Sequence, residues 1–108
     1  MEIKESEKYY IITPLSPKLG ERESQRIREE ITENQKRIGI DMSFVQDCTI
    51  DFINQIVNFK NISLFNISSD IFAILTSMNL DKSVPLFVSE MDFLDDKHQL
   101  LNRKFTIV

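Results

Sequence analysis

The residues able to do chemistry gather between Asp41 and Asp51: the carboxylates Asp41, Asp47 and Asp51, the only cysteine, Cys48, and the hydroxyl of Thr49 beside it. Two carboxylates act as general acid and base when their surroundings push their pKa values apart, and that takes a pocket. Nothing in the sequence supplies one. The spacing of the three carboxylates matches no ligand loop for a divalent cation. A thiol beside a helix N-terminus is activated when its pKa falls. It still needs a base, and the one histidine, His98, lies far along the chain among Asp95, Asp96 and Lys97. Plainer roles suit these residues better: Asp41 holding loop amides, Asp47 shaping the loop, Cys48 filling space and Thr49 capping a helix. The expectation is a non-enzyme with no catalytic residue, metal or cofactor.

Composition narrows the rest. With one histidine and one cysteine, the usual nitrogen and sulfur ligands of a zinc site cannot be assembled. Gly20 and Gly39 are the only glycines, which excludes a glycine-rich phosphate loop. A net charge of −4 with scattered lysines and arginines argues against nucleic acid. No apolar run approaches the roughly 20 residues that span a bilayer. The polar start, Met1 to Lys8, has no apolar signal-peptide segment, so the two Asn-x-Ser sequons at Asn61 and Asn66 carry no weight. A lone cysteine fits a reducing compartment. These points imply a cytoplasmic protein without membrane insertion, and 108 residues fit one domain, 1–108.

The elements that must position Asp41–Asp51 emerge from periodicity. Arg37–Ser43 is short and apolar, as in a strand buried between layers. Ile50, Ile53, Ile56 and Val57 sit at helical spacing in a segment running to Phe59, and Gln46–Thr49 reads as a polar loop between the two. Upstream, Met1–Glu5 and Tyr9–Leu15 suit strands, Ser16–Gly20 a turn or loop, and Glu21–Gln35 a charged, mostly wet helix that packs through Ile27 and Ile31. Downstream come a strand in Asn61–Ser68, a helix over Asp70–Met78 with Ile71, Ile74, Leu75 and Met78 on one side, and a short strand in Val84–Ser89. Met91–Leu101 fits a helix with Phe93, Leu94 and Leu101 inward, or two broken turns. Phe105–Val108 suits an added edge strand. The order implies a mixed sheet covered by helices.

This arrangement resembles the STAS domain, the fold of the bacterial anti-sigma-factor antagonists. In that family an apolar strand ends in Asp, and Asp-Ser-Ser/Thr-Gly then opens a helix. Here Ile38–Ser43 matches the strand with its Asp41, and Asp47-Cys48-Thr49-Ile50 falls on the second motif. Lys18-Leu19-Gly20-Glu21 resembles the family's Gly-x-Leu-Asp turn with the glycine displaced. Asn61–Ser69 and Val84–Glu90 fall where the third and last core strands would. Two positions depart from the pattern: Cys48 stands where the phosphoacceptor serine belongs, and Ile50 where the glycine does.

The resemblance implies an α/β domain, a mixed β-sheet of four to five strands with helices packed against it. It implies a non-catalytic regulatory protein-binding module of a partner-switching system in transcription regulation. The partner would be a serine-kinase-type anti-sigma factor, docked by the loop and helix around Asp47–Thr49. Phe44, Val45, Asp47, Cys48, Thr49, Asp51, Asn54 and Asn58 would form the surface. Thr49 is the nearest hydroxyl able to take a phosphate, which helix amides would favour. The alternative is a STAS-like accessory subunit of a membrane transporter ATPase complex. A small metal- or cofactor-dependent enzyme, or an unrelated small α/β protein, are further readings.

Overall fold

The computed structural model describes residues 1–31, 35–97, 99 and 100. The chain opens with β1 (Glu2–Glu5) and β2 (Tyr9–Thr13), an antiparallel hairpin in which all four β1 residues are exposed. Next come β3 (Lys18–Leu19), α1 (Glu21–Glu30), β4 (Arg37–Asp41), β5 (Asp47–Cys48) and α2 (Ile50–Ile56). After these come β6 (Ile62–Phe65), α3 (Ser69–Ser77), β7 (Leu86–Phe87), α4 (Glu90–Asp95) and β8 (Gln99–Leu100). The main sheet runs β1-β2-β4-β6-β7-β8. The inner strands β2, β4, β6 and β7 are parallel, and β1 and β8 pair antiparallel at the two sides. This is the mixed α/β sheet of five strands, β1 to β7 without the small β3–β5 pair, lengthened by the two-residue β8. Parallel neighbours need crossovers, and α1, α2 and α3 supply them.

Side chains alternate across the strands, so each sheet face has its own core. Tyr10, Ile12, Ile38, Ile40, Ile62, Leu64 and Leu86 join Ile27, Phe52, Ile53, Ile56, Ile71 and Leu75 of the three crossover helices. Ile11, Phe65 and Phe87 form the other cluster with Phe93 of α4. A strand such as Ile62-Ser63-Leu64-Phe65, apolar but for the small Ser63 and buried at every position, is what burial on both faces demands.

Left-handed asparagines cut the chain where periodicity alone does not. Asn61 (φ 61°) and Asn66 (φ 55°) bracket β6, so that strand is shorter than the apolar run around it. Asparagine tolerates this region better than most residues because its side chain bonds locally. Asp96 (φ 54°) ends α4 in the same way, and the chain turns back as β8. The tail is therefore a short helix and then a strand. The expected strand at Phe105–Val108 lies outside the described residues, as do His98 and Leu101. Helix α1 stops at Glu30, where Ile31 is extended and donates its N–H to Ile27 O at 3.0 Å. Helix α3 is rotated from the expected face: Ile71, Leu75 and Thr76 are buried while Ile74 and Met78 are exposed. Thr76 tolerates burial because its hydroxyl donates to Phe72 O at 2.9 Å. Leu94, expected inward beside Phe93, is exposed.

Candidate docking site

Asp41 ends β4, in register with Phe65 at the end of β6. One carboxylate oxygen, Oδ1, accepts the Ser43 amide at 3.0 Å, the Ser43 hydroxyl, and Asn66 Nδ2 at 3.1 Å. Asp41 thus ties the turn after β4 to the turn after β6, the structural role of a strand-end aspartate. The turn is tightened by Val45 N donating to Met42 O at 3.0 Å. It buries Met42 and Val45 and leaves the Phe44 side chain 57% exposed.

This turn does not lead into a free loop. Gln46 N and Asp47 N both donate to Pro17 O, at 2.7 and 3.0 Å, and Thr49 N donates to Leu19 O at 2.9 Å. Asp47–Cys48 pairs in parallel with Lys18–Leu19, forming a second, two-stranded sheet. Gln46–Thr49 and part of Ser16–Gly20, both expected as loops, are therefore extended and clamped together. Strand alternation turns Asp47 outward and Cys48 inward. Two residues expected on the surface, Val45 and Cys48, are core residues instead, because the turn and the β3–β5 pairing point their side chains at the sheet. Burial, reinforced by the negative charge of Asp47, pushes the Cys48 thiol up to about 11. That is the reverse of an activated thiol.

Thr49 is the N-cap of α2, its hydroxyl oxygen accepting from Phe52 N at 3.1 Å. The cap fixes the start of the helix, so Phe52, Ile53 and Ile56 face the core. Asp51, Asn54 and Asn58 face outward, and Asn58 Nδ2 donates to Asn54 O at 3.2 Å. Ile50, grouped by its spacing with the core stripe, is 64% exposed. As the first residue of α2 it sits before the helix has reached the sheet, and its place directly after an N-cap is the signal that marks it. The structure thus brings Phe44, Asp47, Ile50, Asp51, Asn54 and Asn58 to the outside, with Thr49 half-buried among them.

This segment lies where the inner strands end. Helices α3 and α4 start from the same strand ends and are capped alike: Ser68 Oγ accepts from Ile71 N at 3.2 Å and Ser89 Oγ from Asp92 N at 3.3 Å. Among the described residues no three histidine, cysteine or acidic side chains come together as a metal site, and Asp41, Asp47 and Asp51 do not converge. No described helix is long and apolar enough to cross a membrane.

No protein-family model matches the sequence, and no curated protein does. Among solved structures, the chain is similar to murine solute carrier 26 family member A9, an anion transporter in its inward-facing state. The TM-score is 0.65 at 18% identity, over 86% of this chain and 18% of that one. The cytoplasmic part of that transporter is a STAS domain. The chain has the STAS fold. It spans about a fifth of the length of the transporter, and the likeness at this identity concerns the STAS architecture alone. The motif resemblance rests on the Asp41 strand end and the β5–α2 junction, and Cys48 is buried at that junction.

Proposed function

We propose that this STAS-fold chain is a non-catalytic regulatory module of the cytoplasm that docks a protein partner through the segment from Phe44 to Asn58. The partner class is a kinase-type anti-sigma factor. One observation carries the reading: two large apolar side chains, Phe44 at 57% and Ile50 at 64% exposure, stand out amid the polar Asp47, Asp51, Asn54 and Asn58. Apolar anchors within a polar surround are the usual make-up of a protein-binding patch. The motif's phosphoacceptor position holds a buried thiol in place of a hydroxyl, so docking is constitutive and not released by phosphate there. Thr49 serves as a helix cap.

A native pull-down with wild type and with Phe44→Asp/Ile50→Asp tests the proposal. Recovery of a soluble protein with a kinase-type ATPase fold by wild type alone is the expected result. Equal recovery by both proteins overturns the site. A second reading draws on the transporter neighbour: an accessory domain of a membrane transport assembly. Co-purification with membrane transport components would favour it over the first.

A further inference from the structure

Away from the docking segment, a cavity of about 170 Å³ opens between the chain start, the turn after β2 and helix α1. Met1, Pro14 and Leu15 line its apolar part, and Arg22 and Arg26 stand over it from successive turns of α1. Leu15 is 51% exposed. Neither arginine makes an ion pair among the described residues. Glu23, the one carboxylate in the lining, has its Oε1 engaged by the Gly20 amide at 2.7 Å. The groove is therefore lined by apolar side chains together with two arginines.

The complementary surface is on the same chain. Helix α4 turns Phe93 into the core and presents Met91, Leu94 and Asp95, at i, i+3 and i+4, on its outer face. Met91 is 67% and Leu94 36% exposed. Glu90 is paired with Lys4 and Asp96 with Arg37, while Asp95 has no ion pair among the described residues. One patch carries apolar side chains with two arginines that are outside any ion pair among the described residues. The other carries apolar side chains with a carboxylate likewise outside any ion pair among the described residues.

We propose that the groove of one copy receives helix α4 of a second copy, Met91 and Leu94 covering Leu15 and Asp95 meeting Arg22 and Arg26. The two patches are different, so the contact is heterologous and leaves one groove and one α4 free at the ends of each assembly. Association is open and head-to-tail. The small groove makes it transient, below the size of a stable interface, and its charges make it salt-sensitive.

Sedimentation velocity over a concentration series tests this. Wild type is expected to self-associate at low ionic strength and at least tenfold more weakly at about 0.5 M salt. Arg22→Gln/Arg26→Gln and Met91→Ser/Asp95→Lys are each expected to be monomeric. Mixed, they are expected to give a one-to-one heterodimer, because each keeps one intact half of the contact. Circular dichroism checks that both fold; Arg26→Gln and Asp95→Asn replace any that does not. A wild type that stays monomeric up to about millimolar concentration, well above the range of functional transient contacts, overturns the proposal. So does a mixture of folded variants that stays monomeric, or variants that associate like wild type.

Discussion

A Cβ placed on Gly39 would lie 2.7 Å from Cζ of Phe93. Gly39 is in the middle of β4, between Ile11 of β2 and Ser63 of β6. Phe93 fills the space its missing side chain leaves, stacked on Phe65 at 5.5 Å and edge-on to Phe87 and Tyr9 at 6.1 and 6.4 Å. Arg37 lies over the same ring, 4.2 Å from its centroid. Helix α4, the one helix in this second core cluster among the described residues, is thus seated by a glycine.

Gly39→Ala is expected to destabilise the protein by about 1–3 kcal/mol, since the methyl group must push the Phe93 ring aside. Phe93→Ala, which leaves a void, is expected to cost about 3–5 kcal/mol. Urea unfolding midpoints measure both. The pair should not add: with Phe93 removed, Gly39→Ala keeps only its 2.9 Å approach to Phe65 Cε2, a ring then free to shift into the void, and becomes milder.

Cys48 should resist thiol reagents at pH 8 in the folded protein and react at once when unfolded. Its folded-state pKa of about 11 lies above the 9.0 of a free thiol. The folded state therefore holds the proton more tightly, and the linked stability is whole below pH 9 and is lost as pH rises toward 11. Unfolding curves across that window should lose part of their pH dependence in Cys48→Ala. An unchanged slope would remove Cys48 as its source.

Thr49→Ala is expected to lose about 0.5–2 kcal/mol through the cap on α2, whereas Thr49→Ser should stay near wild type. Thermal unfolding distinguishes them. If both variants were equally destabilised, the loss would belong to the Thr49 methyl group and not to the bond with Phe52 N.

Asp41→Ala removes the acceptor shared by Ser43 and Asn66, and about 1–3 kcal/mol of stability should go with it. Amide hydrogen exchange should quicken at Ser43 while β4 itself stays protected. Asp41→Asn keeps one carbonyl acceptor and should recover part of the loss.

Most of the architecture was legible because strongly periodic segments announce themselves: β4 in Ile38–Ile40, α2 in Ile53 and Ile56, and the strand-end role of Asp41. Thr49 was readable as a cap from its position before an apolar-periodic run. The β3–β5 pair was not, since two-residue strands brought together from distant parts of the chain leave no local pattern. That omission, with the turn at Met42–Val45, left Val45 and Cys48 in the expected docking surface. Space-filling burial was the plainer reading of Cys48, and it is what the structure shows. Ile50 and α3 show a different limit. Spacing gives a helix its stripe, but tertiary packing decides which way the stripe turns and where the helix first touches the sheet.

The outer strand β1, Glu2-Ile3-Lys4-Glu5, has an exposed, charged side chain at three of its four positions. Such an edge discourages a stray strand from adding to the sheet. The sequences that would adhere most readily, Ile38–Ile40 and Ile62–Phe65, lie further in. The β1–β2 hairpin is thus a guard rail for the inner strands, and its removal is expected to raise the tendency of the sheet to pair edge to edge.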